Sequence, residues 1–340
     1  MINYTLIRKI LFKLDPELAH ALTMFILRQR AKLNRVGGLV GPVERSPCEV
    51  MGLTFSNRIG CAPGFDKDGD NIEALGQLGF GFLEVGGVTA RAQPGNPKPR
   101  LFRLVADEAL INRMGFNNRG VDYLVENLKR RKYQGVVGVN IAKNKETALE
   151  KAAEDYVYCM QRVYAFCDFM TINISSPNTP GLRELQNQNY LSQLLSTVKI
   201  QQQRLSDQHK KYVPLVVKLA PDLDDAALTL ITTTLENQKI DGVIATNTTL
   251  SRPPLISPDR NESGGLSGKP LTSLSTEIIS KLYERLPKTI PIIAVGGIMS
   301  AEDAIAKRQA GAQLVQLYSG LIYHGPQLIA DIAKRSEFCV

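Results

Sequence analysis

PLVVKLAPD, residues 214–222, is an apolar run holding a single lysine, and it ends abruptly in a proline and an aspartate. A short continuous stretch of Val and Leu closed by a turn signal reads as a strand buried on both faces, as in parallel sheets covered by helices. Its strand core, Leu215 to Leu219, is the fifth of eight such runs. The others are Arg58 to Cys61, Gly81 to Val88, Val136 to Ile141, Phe169 to Ile174, Gly242 to Thr246, Ile292 to Val295 and Leu314 to Tyr318. Each leads into a polar or glycine-bearing loop, and usually on into a helical pattern. Eight βα units predict an α/β protein with a TIM (β/α)8 barrel. A doubly wound sheet is the alternative, but VGGI at 295–298 lacks the G-x-G-x-x-G spacing and no Walker A sequence is present.

The chain of 340 residues is long enough for one such barrel plus a small extra module. With 44% hydrophobic and 22% charged residues it has ordinary globular usage, which excludes global disorder. Five cysteines, Cys48, Cys61, Cys159, Cys167 and Cys339, form no C-x-x-C pair, and the three histidines are far apart. No metal site and no Ser-His-Asp triad is expected from such a set.

The net charge of +8 is unevenly placed. Residues 1–35 carry seven basic side chains against Asp15 and Glu17, a net +5. Ile7, Ile10, Leu11 and Leu14 fall at helical spacing. Asp15-Pro16 then reads as a helix cap with proline in the first turn, and Leu18, Leu22, Phe25 and Ile26 share one side of a second helix. Its longest uncharged run, Leu18 to Leu27, is too short to span a bilayer, and no signal-peptide cleavage pattern follows. A helix pair capping the barrel and a helix pair lying on a membrane surface both fit, and the basic excess favours the second. The expected division is residues 1–40 as this module and 41–340 as the barrel.

In TIM barrels the residues just after each strand form the site. Here they are polar: Asp66 and Lys67, Thr89, Lys143 and Asn144, Ser175, Ser176 and Asn178, Lys218, Thr246 to Thr248, Gly296 and Gly297, and Ser319 and Gly320. Glycines and a serine after the seventh and eighth strands fit a phosphate, although Gly296-Gly297 also suits a plain tight turn. Asn140 and Asn173 lie inside apolar runs, where an unpaired amide is costly, so a flat heterocycle with amide-like edges suits them. Lys218 between apolar neighbours calls for an anionic or electron-rich partner. Lys67, flanked by Asp66 and Asp68, reads equally as one half of a salt bridge.

GFDKDG (64–69), PGNPKPRLFRL (94–104), INRMGFNN (111–118), NISSPNTPGLR (173–183), VKLAPDL (217–223), DGVIATNTTL (241–250), GGLSGKPL (264–271), AVGGI (294–298) and QLYSG (316–320), in this order, resemble the dihydroorotate dehydrogenases of the membrane-associated, quinone-reducing class. The resemblance covers nearly the whole chain. It implies oxidation of dihydroorotate to orotate in pyrimidine biosynthesis, with FMN as electron carrier and a membrane quinone as acceptor. Ser176 would be the base that removes the C5 proton, with a relay through Thr179 or a water; soluble relatives place cysteine there. Substrate would be met by Lys67, Asn112, Arg113, Met114, Gly115, Phe116, Asn173, Asn178, Asn247 and Thr248.

For FMN the resemblance implies Ala62, Pro63, Gly64, Phe65, Asp66, Lys67, Gly87, Asn140, Asn173, Lys218, Thr246, Gly268, Gly297, Tyr318 and Ser319, with Lys218 stabilising the reduced flavin. His20 and Arg103 would contact the quinone head. The protein would be a peripheral membrane protein on the cytoplasmic face of the inner membrane. Pro63, Gly87 and Ala142 stand where relatives usually have alanine, threonine and glycine. Gly87 removes a hydroxyl that would contact flavin, and Thr89 is the expected replacement. A tRNA dihydrouridine synthase would share the phosphate loops, but it would use cysteine as its acid and spread positive charge over an RNA face. Charge confined to the front end gives no expectation of a nucleic-acid partner.

Overall fold

The computed structural model describes residues 4–339. Two helices open the chain, α1 (Tyr4–Leu11) and α2 (Pro16–Ala31). The Asp15 side chain accepts from the backbone N–H groups of Glu17 and Leu18 at 3.0 Å each, and Pro16 sits in the first turn of α2. This cap fixes the break between the helices where the sequence places it.

The barrel strands are β3 (Ile59–Cys61), β4 (Phe82–Val88), β7 (Val136–Ile141), β8 (Phe169–Asn173), β9 (Leu215–Leu219), β10 (Gly242–Ala245), β12 (Ile292–Val295) and β13 (Leu314–Leu317). They pair in parallel in that order, and β13 closes on β3. This is the expected TIM barrel, with every expected strand present and its ends within a residue. The covering helices are α3 (Ile72–Gly76), α4 (Val121–Arg130), α5 (Ala152–Val163), α6 (Gln188–His209), α7 (Asp225–Asn237), α8 (Thr272–Arg285), α9 (Ala301–Gln309), α10 (Ser319–His324) and α11 (Gln327–Ala333).

Two small sheets were not expected. A hairpin of β1 (Cys48–Val50) and β2 (Leu53–Phe55) precedes the barrel, and its Val50 and Phe55 join the cluster filling the barrel floor. At the opposite, C-terminal end, β5 (Leu101–Leu104) and β6 (Ala109–Asn112), inserted after β4, pair antiparallel with each other, and β6 pairs antiparallel on its other edge with β11 (Gly265–Gly268), inserted after β10. Their side chains form a core of their own around Phe102, Leu104, Ile111 and Leu266.

Alternation along the strands stacks the barrel interior in layers. The floor is apolar: Phe82, Phe169, Val136, Val216, Ile244, Ile293 and Leu314. Two glycines make room for its rings. A Cβ on Gly60 would lie 2.3 Å from the Phe82 ring, and one on Gly138 would lie 2.1 Å from the Phe169 ring. Two residues further along the strands come Glu84, Thr171 and Gln316, all buried, and beyond them Asn140, Asn173, Lys218 and Thr246. The interior therefore turns polar toward the C-terminal mouth.

The helix pair is seated on that mouth. The Tyr4 hydroxyl donates to the Ile322 carbonyl at 2.8 Å, and Arg8 donates to the Tyr323 carbonyl at 2.6 Å. Arg100 makes a two-pronged pair with Glu17 of α2, at 2.9 and 3.0 Å, and donates to the carbonyls of Pro94 and Asn96. Ala19, Met24 and Ala31 of α2 face inward, whereas Leu18, Leu22, Phe25 and Ile26 stay exposed.

Candidate active site

A line of hydrogen bonds crosses the mouth. Gln316 Nε2 and Asn140 Nδ2 donate to the two Glu84 oxygens at 2.5 and 2.7 Å. Asn173 Nδ2 donates to Asn140 Oδ1 at 2.9 Å, Ser175 Oγ to Asn173 Oδ1 at 3.2 Å, and Asn247 Nδ2 to Ser175 Oγ at 3.0 Å. Strands β13, β4, β7, β8 and the loop after β10 are thereby locked in one relative arrangement. The expectation that Asn140 and Asn173 need polar partners is met by each other and by Glu84.

Lys218, on β9 in the same layer, is different. Among the described residues its ammonium makes no hydrogen bond and no salt bridge. Burial lowers its pKa, and the Glu84 carboxylate pulls it back up. The hydroxyls of Thr246 and Thr248, at the end of β10, are also buried without partners. Unpaired polar groups of this kind cost free energy unless a ligand meets them.

Ser176 lies in the loop after β8, 8% exposed, and its Oγ accepts from the Asn178 N–H at 3.3 Å. The loop is held from three sides. Arg183 donates to the carbonyls of Ser175 and Thr248 and pairs with Asp222 at 2.8 Å. Asn178 donates to Asn112 Oδ1 at 3.1 Å, and Asn96 donates to the Asn178 carbonyl at 3.2 Å. Asn112, Asn178, Asn247 and Ser176 are thus gathered as the sequence predicts. Arg183 and Asn96 as clamps were not foreseen. A long side chain closing a Pro- and Gly-rich loop is the signal that could have marked Arg183. Among the described residues no hydrogen bond joins Ser176 to Thr179, whose buried hydroxyl has no partner there.

Several of the expected site residues have partners within the protein. The Arg113 guanidinium lies 4.6 Å from the Phe102 ring centre, pairs with Glu262 at 2.5 Å and donates to the Pro99 carbonyl. Met114 and Gly115 keep the loop's shape through backbone bonds, with Asn96 N–H donating to the Met114 carbonyl and Gln93 to that of Gly115. The Asp66 carboxylate accepts from the N–H groups of Asp70 and Asn71, a turn-forming role, and burial pushes it up to about 6. Lys67 forms no salt bridge. Its ammonium donates to the Gly64 carbonyl at 3.0 Å, and burial lowers its pKa. Thr89 cannot replace the hydroxyl missing at Gly87, since its own donates to the Arg91 carbonyl at 2.6 Å and accepts from Asn118. A Cβ on Gly87 would meet the Phe116 ring at 2.6 Å, so the glycine allows close contact with an aromatic face.

At the far side, Gly268 and Gly297 have φ of +94° and +69°, and a Cβ on either would lie within 2.5 Å of neighbouring backbone. The Gly296-Gly297 turn is held from behind. Ser275 and Thr272 hydroxyls donate to its carbonyls at 2.8 and 2.6 Å, and the fully buried Lys307 donates to the Thr272 carbonyl. Ser319 Oγ lies 3.0 Å from Ser267 Oγ beside it. Glycine turns and Ser319 after the seventh and eighth strands, with a buried ammonium lacking a partner and orphan hydroxyls on the fifth and sixth, fit a phosphorylated planar heterocycle. Ala62, Pro63 and Gly64 follow β3, with the Ala62 N–H on the Leu317 carbonyl at 3.0 Å and the Gly64 N–H on the Gly86 carbonyl at 2.7 Å.

Tyr318 packs on Phe65 with ring centres 4.8 Å apart, and Phe65 meets His20 of α2 at 5.7 Å. His20 is thus no surface histidine. Burial, with the Lys67 ammonium as a lesser cause, pulls its imidazole down to about 4. An unfolded histidine titrates near pH 6.5. Between about pH 6.5 and 4 the unfolded chain binds a proton that the folded chain refuses, so acidification through this window costs stability. Denaturant titrations at about pH 7 and pH 4.5 are expected to show a larger loss for the wild type than for His20→Gln. Equal losses would mean that the imidazole is not protected. Arg103 is no ordinary exposed arginine either: it donates to the Leu14 carbonyl at 2.8 Å and lies 4.9 Å from the Phe12 ring centre.

A family model described as dihydroorotate dehydrogenase matches residues 47–337. A protein named dihydroorotate dehydrogenase (quinone) from Burkholderia multivorans is 54% identical over 332 residues, covering 97% of this chain and 96% of that relative. One of the same name from Chromobacterium violaceum is 53% identical with the same coverage. Among solved structures, DHODH from Eimeria tenella in complex with ferulenol superposes with a TM-score of 0.86 at 38% identity, over 94% of this chain and 90% of that one. Barrel, mouth and similarity agree over almost the full length, and the chain belongs to the dihydroorotate dehydrogenase family.

Proposed function

We propose that this chain oxidises (S)-dihydroorotate to orotate, in pyrimidine biosynthesis, and passes the electrons through FMN to a membrane quinone. The observation that carries this reading is Lys218, a buried ammonium with no partner of its own, in the barrel mouth beside the Ser176 loop. FMN, when bound, supplies the acceptor for the C6 hydride and the donor to the quinone. Gly268, Gly297 and Ser319 would hold its phosphate; Ala62 to Gly64, Gly87, Asn140, Thr246 and Lys218 would hold the ring system.

The substrate carboxylate and ring amides would be met by the Lys67 ammonium, the Thr248 hydroxyl and the side-chain amides of Asn112, Asn173, Asn178 and Asn247, which offer both donors and acceptors. Phe116 would close the pocket over Gly87. Ser176 Oγ would take the C5 proton. With no bond from Ser176 to Thr179, the relay we propose runs through water. Among the described residues no helix is long and apolar enough to cross a membrane. The exposed apolar stripe of α2 and the basic excess of the first 35 residues support peripheral binding, on the cytoplasmic face of the inner membrane, with His20 and Arg103 at the quinone entrance.

The test is the visible spectrum of purified protein under anaerobic conditions. Flavin bands are expected to bleach with dihydroorotate and to return with a quinone, but not with NAD. A flavin that ignores dihydroorotate would overturn the assignment.

A further inference from the structure

Glu84 is a carboxylate in the middle of the barrel, 2% exposed. No cation reaches it within salt-bridge distance among the described residues. Its two oxygens take one amide N–H each, from Asn140 and from Gln316. Burying a charge without a paired cation is among the costlier choices a fold can make.

Hydrogen bonding alone does not explain the choice. A glutamine at position 84 would accept from Asn140 with its Oε1. Its Nε2 would face Gln316, whose own Oε1 is buried without a partner. Turning the Gln316 amide over presents that oxygen to the new donor, so both contacts of position 84 survive without a charge. What only a carboxylate supplies is a negative field at the mouth. The field reaches Lys218, whose ammonium it favours. Asn140, one hydrogen bond away, is a second route to the same place.

Building on the FMN reading above, we propose that Glu84 is a positioning residue that sets the flavin's reduction potential, by holding a buried negative charge below Asn140 and Lys218. A negative charge near the ring opposes the gain of electrons, in a dry environment where Coulomb interactions are strong. It keeps the reduced cofactor a ready donor to the quinone, and it offsets part of the pull of Lys218.

The experiment uses holoenzyme of three kinds: wild type, Glu84→Gln, and the double variant Glu84→Gln with Gln316→Glu. The double variant returns the carboxylate to the same contact from β13, with the position-84 amide now donating. Midpoint potentials are read by spectroelectrochemistry, and flavin content and bleaching by dihydroorotate are recorded separately. In Glu84→Gln the two-electron equilibrium is expected to shift at least tenfold toward reduced flavin, about 30 mV, and in the double variant to move back toward wild type. A flavin-loaded Glu84→Gln protein with unchanged potential would overturn the proposal, as would a shift that the double variant does not reverse. Flavin lost from the single variant and regained in the double one supports a need for charge; flavin lost from both shows a need for shape and overturns it. Wild-type flavin that dihydroorotate does not bleach refutes the functional reading instead, a different result from any of these.

Discussion

Replacing Ser176 with alanine is expected to slow flavin bleaching by dihydroorotate by roughly 10²- to 10⁴-fold, the range for losing a general base, while the protein keeps its flavin. The two effects separate because, among the described residues, no hydrogen bond joins the Ser176 side chain to a residue that would hold the cofactor. Its Oγ accepts from the Asn178 N–H, and the loop is held by Arg183, Asn96 and Asn112. The loss corresponds to about 3–5 kcal/mol in the barrier. Stopped-flow absorbance with excess dihydroorotate reads it directly. A rate like that of the wild type would remove the serine from proton transfer, and loss of flavin would mean that the loop is part of the cradle.

Exchanging Leu18, Leu22, Phe25 and Ile26 together for glutamine is expected to reduce binding to lipid vesicles by roughly a thousandfold. These side chains are 40–56% exposed and form one stripe of α2. Burying the remaining half of each in lipid gives about 1 kcal/mol, from the 1.5–3 kcal/mol of a fully buried large apolar side chain, and 1.4 kcal/mol is a factor of ten. Because Ala19, Met24 and the Glu17–Arg100 pair hold the opposite face, flavin content and reduction by dihydroorotate should stay at wild-type levels. Flotation with vesicles rich in anionic lipid, at low and high salt, also reports the basic residues, whose share weakens with ionic strength. Partition that the four changes leave untouched would mean that this stripe does not face lipid.

The barrel was legible because its strands are unbroken apolar runs, and three of them, Val136–Ile141, Leu215–Leu219 and Ile292–Val295, have the expected ends. The extra sheet of β5, β6 and β11 escaped because its strands are four residues each and one of them comes from a different part of the chain. Lys218 was legible as a charge inside an apolar run. Glu84 in FLEVGGV carries the same signal and was passed over, since a glutamate early in a strand also suits a solvent-facing position. The turning of Arg113 toward Phe102 and Glu262, the closure of Phe116 onto Gly87 and the hydrogen bond from Asn118 to Thr89 all depend on partners far away in sequence or across a loop. No local pattern encodes them.

The barrel floor also bears on how this chain can change over generations. Gly60 has the Phe82 ring where its side chain would be, and Gly138 has that of Phe169. A methyl added to either glycine alone collides, and a ring trimmed alone leaves a hole that costs about 3–5 kcal/mol. Neither member of a couple can drift by itself; inheritance has to alter glycine and phenylalanine as one unit, and a protein engineer recutting this floor inherits the same grammar of pairs.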